Sequence, residues 1–327
     1  MKKLAIILMI LALFLTIGCE DTPEREPASR PAASQQTPTE ISEPVDVSDY
    51  DKQTDSAGSV MDVGKSQGQD FGSFHYQLQE ATYPGLKAVD ADVLVIDIDD
   101  ADISEEELND LKKDGKTILS YLSIGEAEDY REYWQDSWKP GSPSFIDSEN
   151  PGWEGNYKVR YWDMGWQDII LDRAEEIAEA GYDGVYLDII DAYGYYEDRG
   201  RDSAAQEMVD FVRSIRQEAQ KVNPSFIVVP QNSPELYAYP SYAEIIVGFG
   251  KEDTWYDDDS RQDEEETAYV LGYLDKAVAD GRFVLAIDYP TGNSEVCDFY
   301  KKCSAHGFAC TVSDRELDLD RQIACKN

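Results

Sequence analysis

Carboxylates are the residues of this chain best placed to do chemistry. The segment Gly184-Val185-Tyr186-Leu187-Asp188-Ile189-Ile190-Asp191 sets an aspartate at the end of a short apolar run. Such a run after a glycine turn predicts a buried parallel strand. A carboxylate left unpaired there is costly, so Asp188 calls for a function. Other acids end or follow further apolar runs: Asp97 and Asp99, Glu126, Glu252 with Asp253, and Asp288 beside Tyr289. Asp163 falls in an aromatic-rich connection. The only histidines are His75 and His306, and neither suits a Ser–His–Asp or Cys–His arrangement at a strand end. Acids without histidine pairs, set among aromatics, suggest glycoside cleavage. One carboxylic acid protonates the leaving oxygen, while a second carboxylate attacks the anomeric carbon or activates water. Crowded carboxylates raise one another's proton affinity, which keeps the acid member protonated near neutral pH. A carboxylate-held Mg²⁺ or Ca²⁺ is the competing chemistry. The expectation is a site with no metal and no cofactor.

These acids need a frame. Strand-like runs are expected at Phe74–Gln79, Val93–Ile98, Thr117–Ser123, Gly184–Ile190, Phe226–Gln231, Glu244–Phe249, Phe283–Asp288 and Phe308–Val312. Helical patterns separate them at Ser104–Asp114, Trp166–Ala180, Ser203–Val222, Glu264–Asp280 and Ser294–His306. Ser104 followed by Glu107 reads as a capping box, and Gly181 as a helix stop. Strands alternating with helices imply parallel pairing through right-handed crossovers. Eight such units predict an α/β fold of the (β/α)8 TIM-barrel type, whose strand C-terminal ends carry the active site. No GxGxxG or P-loop follows a strand, which argues against an open nucleotide-binding sheet. The connection from Ile124 to Gly165 is long and holds Tyr130, Tyr133, Trp134, Trp138, Trp153, Tyr157, Tyr161 and Trp162. Its aromatics either present platforms to sugar rings or cover the barrel mouth structurally.

A family resemblance rests on five pieces: Leu119-Ser120-Tyr121-Leu122-Ser123-Ile124-Gly125-Glu126, Tyr161-Trp162-Asp163, Gly181-Tyr182-Asp183-Gly184-Val185-Tyr186-Leu187-Asp188, Pro230-Gln231-Asn232 and Glu252-Asp253-Thr254-Trp255-Tyr256. Their order and spacing resemble the endo-α-1,4-polygalactosaminidase family, glycoside hydrolase family 114. The resemblance implies a (β/α)8 barrel and a catalytic pair at Asp188 and Glu252. Analogy with retaining α-galactosidase-type barrels gives Asp188 as nucleophile and Glu252 as acid/base, with the exchanged roles left open. Asp97, Tyr121, Glu126, Asp163, Gln231, Asn232 and Tyr289 are then candidates for binding or orienting the sugar. The implied substrate is an α-1,4-linked galactosamine polymer, partly deacetylated and therefore cationic. The alternative is a non-catalytic carbohydrate-binding lipoprotein on the same barrel.

The ends of the chain bear on location. Met1-Lys2-Lys3, the apolar run Leu4–Ile17 and Gly18-Cys19 describe an export signal over residues 1–18. The run is short for a membrane span, which needs about 20 residues. Leu15-Thr16-Ile17-Gly18-Cys19 resembles a lipobox, which makes Cys19 the lipidation candidate and gives a membrane-anchored, extracytoplasmic lipoprotein. An ordinary cleaved signal or an uncleaved anchor are the alternatives. Residues 19–70 carry five prolines and few large apolar residues, the composition of a flexible tether reaching roughly 40 Å. Residues 71–327 form the expected folded domain. Cys297, Cys303, Cys310 and Cys325 suggest two disulfides in an exported chain, with the pairing open. The formal charge of -38 argues against a nucleic-acid partner, which needs basic patches. It reads either as a solvated acidic surface or as attraction for a cationic ligand.

Overall fold

The structure is a computed structural model, and it describes residues 71–319 and 321–326. The expected export signal, Cys19 and the tether over 19–70 lie outside the described residues. The chain runs β1 (Phe74–Gln77), α1 (Tyr83–Ala88), β2 (Val93–Ile96), α2 (Glu105–Lys113), β3 (Thr117–Ser123), β4 (Glu126–Glu128), β5 (Ile146–Glu149) and β6 (Asn156–Val159). It continues with α3 (Met164–Glu179), β7 (Gly184–Asp188), α4 (Ala192–Glu197), α5 (Ala204–Val222), β8 (Ile227–Pro230), a 3₁₀ turn (Pro234–Ala238), α6 (Pro240–Ala243) and β9 (Gly248–Glu252). The short pair β10 (Tyr256–Asp257) and β11 (Ser260–Arg261) precedes α7 (Glu264–Ala279), β12 (Phe283–Asp288), α8 (Asn293–Ala305) and β13 (Ala309–Val312).

Parallel pairing orders the long strands as β1-β2-β3-β7-β8 in one sheet and β13-β12-β9 in another. Single parallel bridges join them at both edges, Gln231 with Gly250 and Ser73 with Cys310. Two buried faces explain why these strands read as continuous apolar runs. Alternate residues divide between two cores, as the period of two requires. Phe74, Tyr76, Val93, Val95, Leu119, Tyr121, Tyr186, Val229, Leu285 and Ile287 pack together on one face. Leu94, Ile96, Ile118, Leu122, Val185, Leu187, Val228, Val284 and Ala286 turn to the helices on the other. The helices start where local chemistry favours it. Ser104 and Glu107 close a reciprocal capping box on α2, and Asp263 caps α7 by accepting the N–H groups of Glu265 and Glu266.

Several boundaries differ from the sequence expectation. The strand expected at Glu244–Phe249 forms instead at Gly248–Glu252, because Pro240–Ala243 is a helical turn with Glu244 as its C-cap. Glu252 is therefore the last residue of its strand and not a loop residue. The second strand stops at Ile96, so Asp97 and Asp99 lie beyond its end. The long connection after β3 holds an antiparallel sheet in the order β4-β6-β5. Most of its aromatics pack on one another: Trp134 on Trp138 and Tyr157, Tyr133 on Trp166, and Trp138 on Phe145. Only Tyr130 and Trp153 of this group stand out into solvent, at 65% and 60% exposure. The platform reading thus gives way to a folded subdomain held down by its own aromatic core.

The four cysteines pair as Cys297–Cys325 and Cys303–Cys310. The first ties α8 to the C-terminal tail, the second ties α8 to β13. Beyond β13 the chain crosses the end of β1, where the Leu317 carbonyl accepts the N–H groups of Leu78 and Gln79.

Candidate active site

Asp188 ends β7 half-buried. Its carboxylate accepts the Tyr121 hydroxyl at 2.8 Å and the Ile189 N–H at 2.7 Å. Directly after this contact Ile189 adopts φ 57°, a left-handed conformation that is an outlier for a β-branched residue. Gly125 makes room for this turn, since a Cβ there would lie 2.2 Å from the Ile189 carbonyl. Local strain of order 1–3 kcal/mol is therefore held in place beside the carboxylate by the neighbouring loop.

Glu252 ends β9 in the same manner. The Gln231 amide and the Tyr289 hydroxyl each donate to one of its oxygens. Its own N–H reaches Asn232 Oδ1 at 3.3 Å. Again the residues that follow are strained: Asn232 and Ser233 have φ 64° and 46° after Gln231, and Asp253 has φ 49° after Glu252. Positive φ at Ile189, Asn232, Ser233 and Asp253 thus marks three neighbouring strand ends. The parallel register aligns these ends, with Leu187 beside Pro230 and Gln231 bridged to Gly250.

A layer of tyrosines underlies the two acids. Tyr76 donates to Gln231 Oε1 at 3.2 Å, so it supports the amide that holds Glu252. Its ring lies 5.2 Å from that of Tyr186. The Tyr186 hydroxyl is fully buried without a hydrogen-bond partner. Gly250 is the residue that admits it, because a Cβ there would meet that oxygen at 1.9 Å. Burial pushes the phenols of Tyr76, Tyr121, Tyr186 and Tyr289 well up, so all four stay protonated. The same burial, reinforced by the charge of Glu252, pushes the Asp188 carboxyl up to about 8. Glu252 is also raised by burial, but the Tyr289 hydrogen bond and the charges of Lys251 and Arg315 oppose the rise. Both carboxyls therefore hold their protons more tightly than free acids do. A carboxylic acid and a carboxylate at nearby strand ends can deliver a proton to a leaving group and attack or activate water.

Comparison with known proteins gives the family of the chain. The model of glycoside-hydrolase family GH114 matches residues 39–327. The chain belongs to glycoside-hydrolase family GH114. An uncharacterised protein of Methanocaldococcus jannaschii is 38% identical over 263 residues, covering 74% of this chain and 76% of that protein. The glycoside hydrolase domain of PelA from Pseudomonas aeruginosa shares the fold with a TM-score of 0.64 at 19% identity, over 77% of this chain and 100% of the domain. Aspergillus fumigatus Ega3, solved in complex with galactosamine, aligns with a TM-score of 0.62 at 19% identity, over 80% of this chain and 98% of its own. As a GH114 member the protein is a glycoside hydrolase.

The remaining candidates of this GH114 chain divide into two groups. Tyr121, Gln231, Asn232 and Tyr289 touch Asp188 or Glu252 directly. Asp97, Glu126 and Asp163 have other partners. Asp163 caps α3, accepting the Gly165 N–H at 2.9 Å and the Ser144 hydroxyl at 3.0 Å. Glu126 is buried in the small sheet, where Asn150, Asn156 and Lys158 donate to it. Asp97 pairs with Arg131 at 2.7 Å. These contacts give all three acids protein partners that organise the loops.

Sequence reasoning missed Arg131. It is only 9% exposed and also meets Asp99 at 2.9 Å and Glu128 at 2.5 Å. It lies 5.9 Å from the Tyr121 ring centre, so it pins the inserted sheet to the end of β2 beside the tyrosine that holds Asp188. Asp288 was expected among the mouth acids but is fully buried. It accepts the N–H groups of Thr254, Trp255 and Tyr256, anchoring the loop after Glu252. No signal in the sequence separates such an anchoring acid from a reacting one. Among the described residues, no group of His, Cys, Asp or Glu is arranged to hold a metal ion.

Proposed function

We propose that this protein hydrolyses an α-1,4-linked galactosamine-type polysaccharide with Asp188 and Glu252 as its reacting pair. The observation that carries the reading is their shared setting: two carboxyls on nearby parallel strand ends, each held by a tyrosine beside a left-handed turn, with proton affinity raised by burial and, at Asp188, by the charge of Glu252. The likeness to Ega3, which was solved with galactosamine, supports an amino sugar as substrate. We take the eight parallel strands as a closed (β/α)8 barrel, a reading supported by the two edge bridges. In the retaining scheme Asp188 attacks the anomeric carbon while Glu252 protonates the leaving oxygen, then draws a proton from water.

One observation favours the exchanged roles. Burial and the charge of Glu252 hold the Asp188 carboxyl up at about 8, whereas the Tyr289 hydrogen bond, Lys251 and Arg315 oppose the rise that burial causes at Glu252. The retaining scheme with Asp188 as nucleophile requires Asp188 to be ionised and Glu252 protonated once substrate is bound. A fluorinated galactosaminyl donor that traps the glycosyl-enzyme decides between them. Peptide mass spectrometry should find the sugar on Asp188; label on Glu252 would exchange the roles, and inverted product by NMR would remove the covalent step.

The domain plan follows the same proposal: signal to residue 18, lipidated Cys19, tether to residue 70, then the hydrolase. The two disulfides support an oxidising compartment outside the cytoplasm. Labelled fatty acid should be incorporated by the full chain and not by Cys19→Ser.

A further inference from the structure

Arg315 lies on the segment that leaves β13, outside every element that carries the two acids. Its guanidinium makes a two-point contact with Asp253, Nη1 to Oδ2 at 3.1 Å and Nη2 to Oδ1 at 2.9 Å. Nη2 also reaches Asp257 at 2.6 Å and Nε reaches Asp258 at 2.7 Å. The same group lies 4.5 Å from the centre of the Tyr289 ring. Tyr289 in turn donates to Glu252. Single exposed ion pairs contribute little, but here one planar fork engages three acids and an aromatic ring at once. Lysine has no such geometry. The fork is held from behind, since the Leu317 N–H bonds to Asp314 at 3.0 Å and its carbonyl bonds to the end of β1. The Cys303–Cys310 disulfide fixes the strand it leaves.

We propose that Arg315 is a positioning residue for Glu252, acting through Asp253 on the strained turn and through the Tyr289 ring. The proposal rests on the reading of Glu252 as a reacting acid. Arg315 holds the turn after Glu252 and the ring that donates to it, so the Glu252 carboxyl keeps one orientation and one proton affinity. The groups facing Glu252 are Tyr76 from β1, Asp188 and Tyr186 from β7, Gln231 just after β8, Lys251 and Asp253 beside it, Tyr289 after the end of β12, and Arg315. Of these, Arg315 is the only one contributed by the C-terminal segment.

The test uses the full chain with Arg315→Gln, Arg315→Lys, Tyr289→Phe and Arg315→Gln/Tyr289→Phe. Two readouts are needed: kcat and KM on an α-1,4-galactosamine oligomer, and the ¹³C carboxyl titration of Glu252, assigned by its loss in Glu252→Gln. Arg315→Gln should lower kcat about 10- to 100-fold, the scale of a misplaced catalytic group, with KM little changed. It should also raise the Glu252 titration midpoint. Arg315→Lys should restore most of the midpoint but only part of kcat. In the Tyr289→Phe background the further loss should shrink to about twofold, as coupled residues require. An unchanged Glu252 titration in Arg315→Gln overturns the proposal. So does a loss of the same size with and without the Tyr289 hydroxyl. If Arg315→Gln does not fold, Arg315→Lys and Tyr289→Phe carry the comparison. If the wild type cleaves no oligomer, the substrate reading fails while the titration still tests the clamp.

Discussion

At the residue scale, the site concentrates cost. Two carboxyls are drawn into a tyrosine-lined region, and the strand ends around them close in left-handed turns. The stability consequence has a definite sign. Asp188 is ionised above about pH 4 when unfolded but keeps its proton to about 8 when folded. Between those values the folded state binds more protons, so this group's contribution to stability falls as pH rises. Asp188→Asn removes the titration. Its melting temperature should exceed that of the wild type by a few °C at pH 8 and by less at pH 5, while hydrolysis is lost. Thermal unfolding across that range checks the sign; a variant less stable at pH 8 would show that Asp188 is a structural acid. Asp188 was legible from its apolar surroundings, and Glu252 from the family resemblance. Arg131 and Arg315 were not, because the partners that tie them to the site, Asp97 and Asp99 for Arg131 and Asp253 and Tyr289 for Arg315, lie far away in the chain.

At the element scale, the long parallel strands were readable because both faces are buried and the runs are continuously apolar. The strand at Gly248–Glu252 starts four residues and ends three residues later than expected. The apolar residues Ile245, Ile246 and Val247 extend the pattern backwards, while Pro240–Ala243 already forms a helical turn. The sheet after β3 was hidden because its strands are short and edge-like, and its aromatic content suggested a ligand surface instead. Gly250 is the tightest joint between elements. Gly250→Ala should destabilise by about 1–3 kcal/mol, the cost of overpacking, because its Cβ meets the Tyr186 ring and hydroxyl. Tyr186→Ala should recover part of that loss in a double-mutant cycle read by denaturant unfolding. Additive losses would mean that the two residues do not press on each other.

At the scale of the whole molecule, two disulfides secure the last helix, the last strand and the tail. Cys297–Cys325 spans 28 residues, a closure that restricts the unfolded chain by about 3–4 kcal/mol. Opening it with Cys297→Ser/Cys325→Ser should lower the free energy of unfolding by that amount, and the midpoint with it, while the other disulfide stays closed. No change in the midpoint would place the tail outside the cooperative unit. The central claim remains that Asp188 and Glu252 together cleave an amino-sugar polymer. Its most direct test is reducing-end release from a defined α-1,4-galactosamine oligomer by the wild type, Asp188→Asn and Glu252→Gln. The account predicts cleavage by the wild type and a loss of at least about 10²–10⁴-fold in each folded variant, the scale of acid–base catalysis. Cleavage at the wild-type rate by either variant would contradict it.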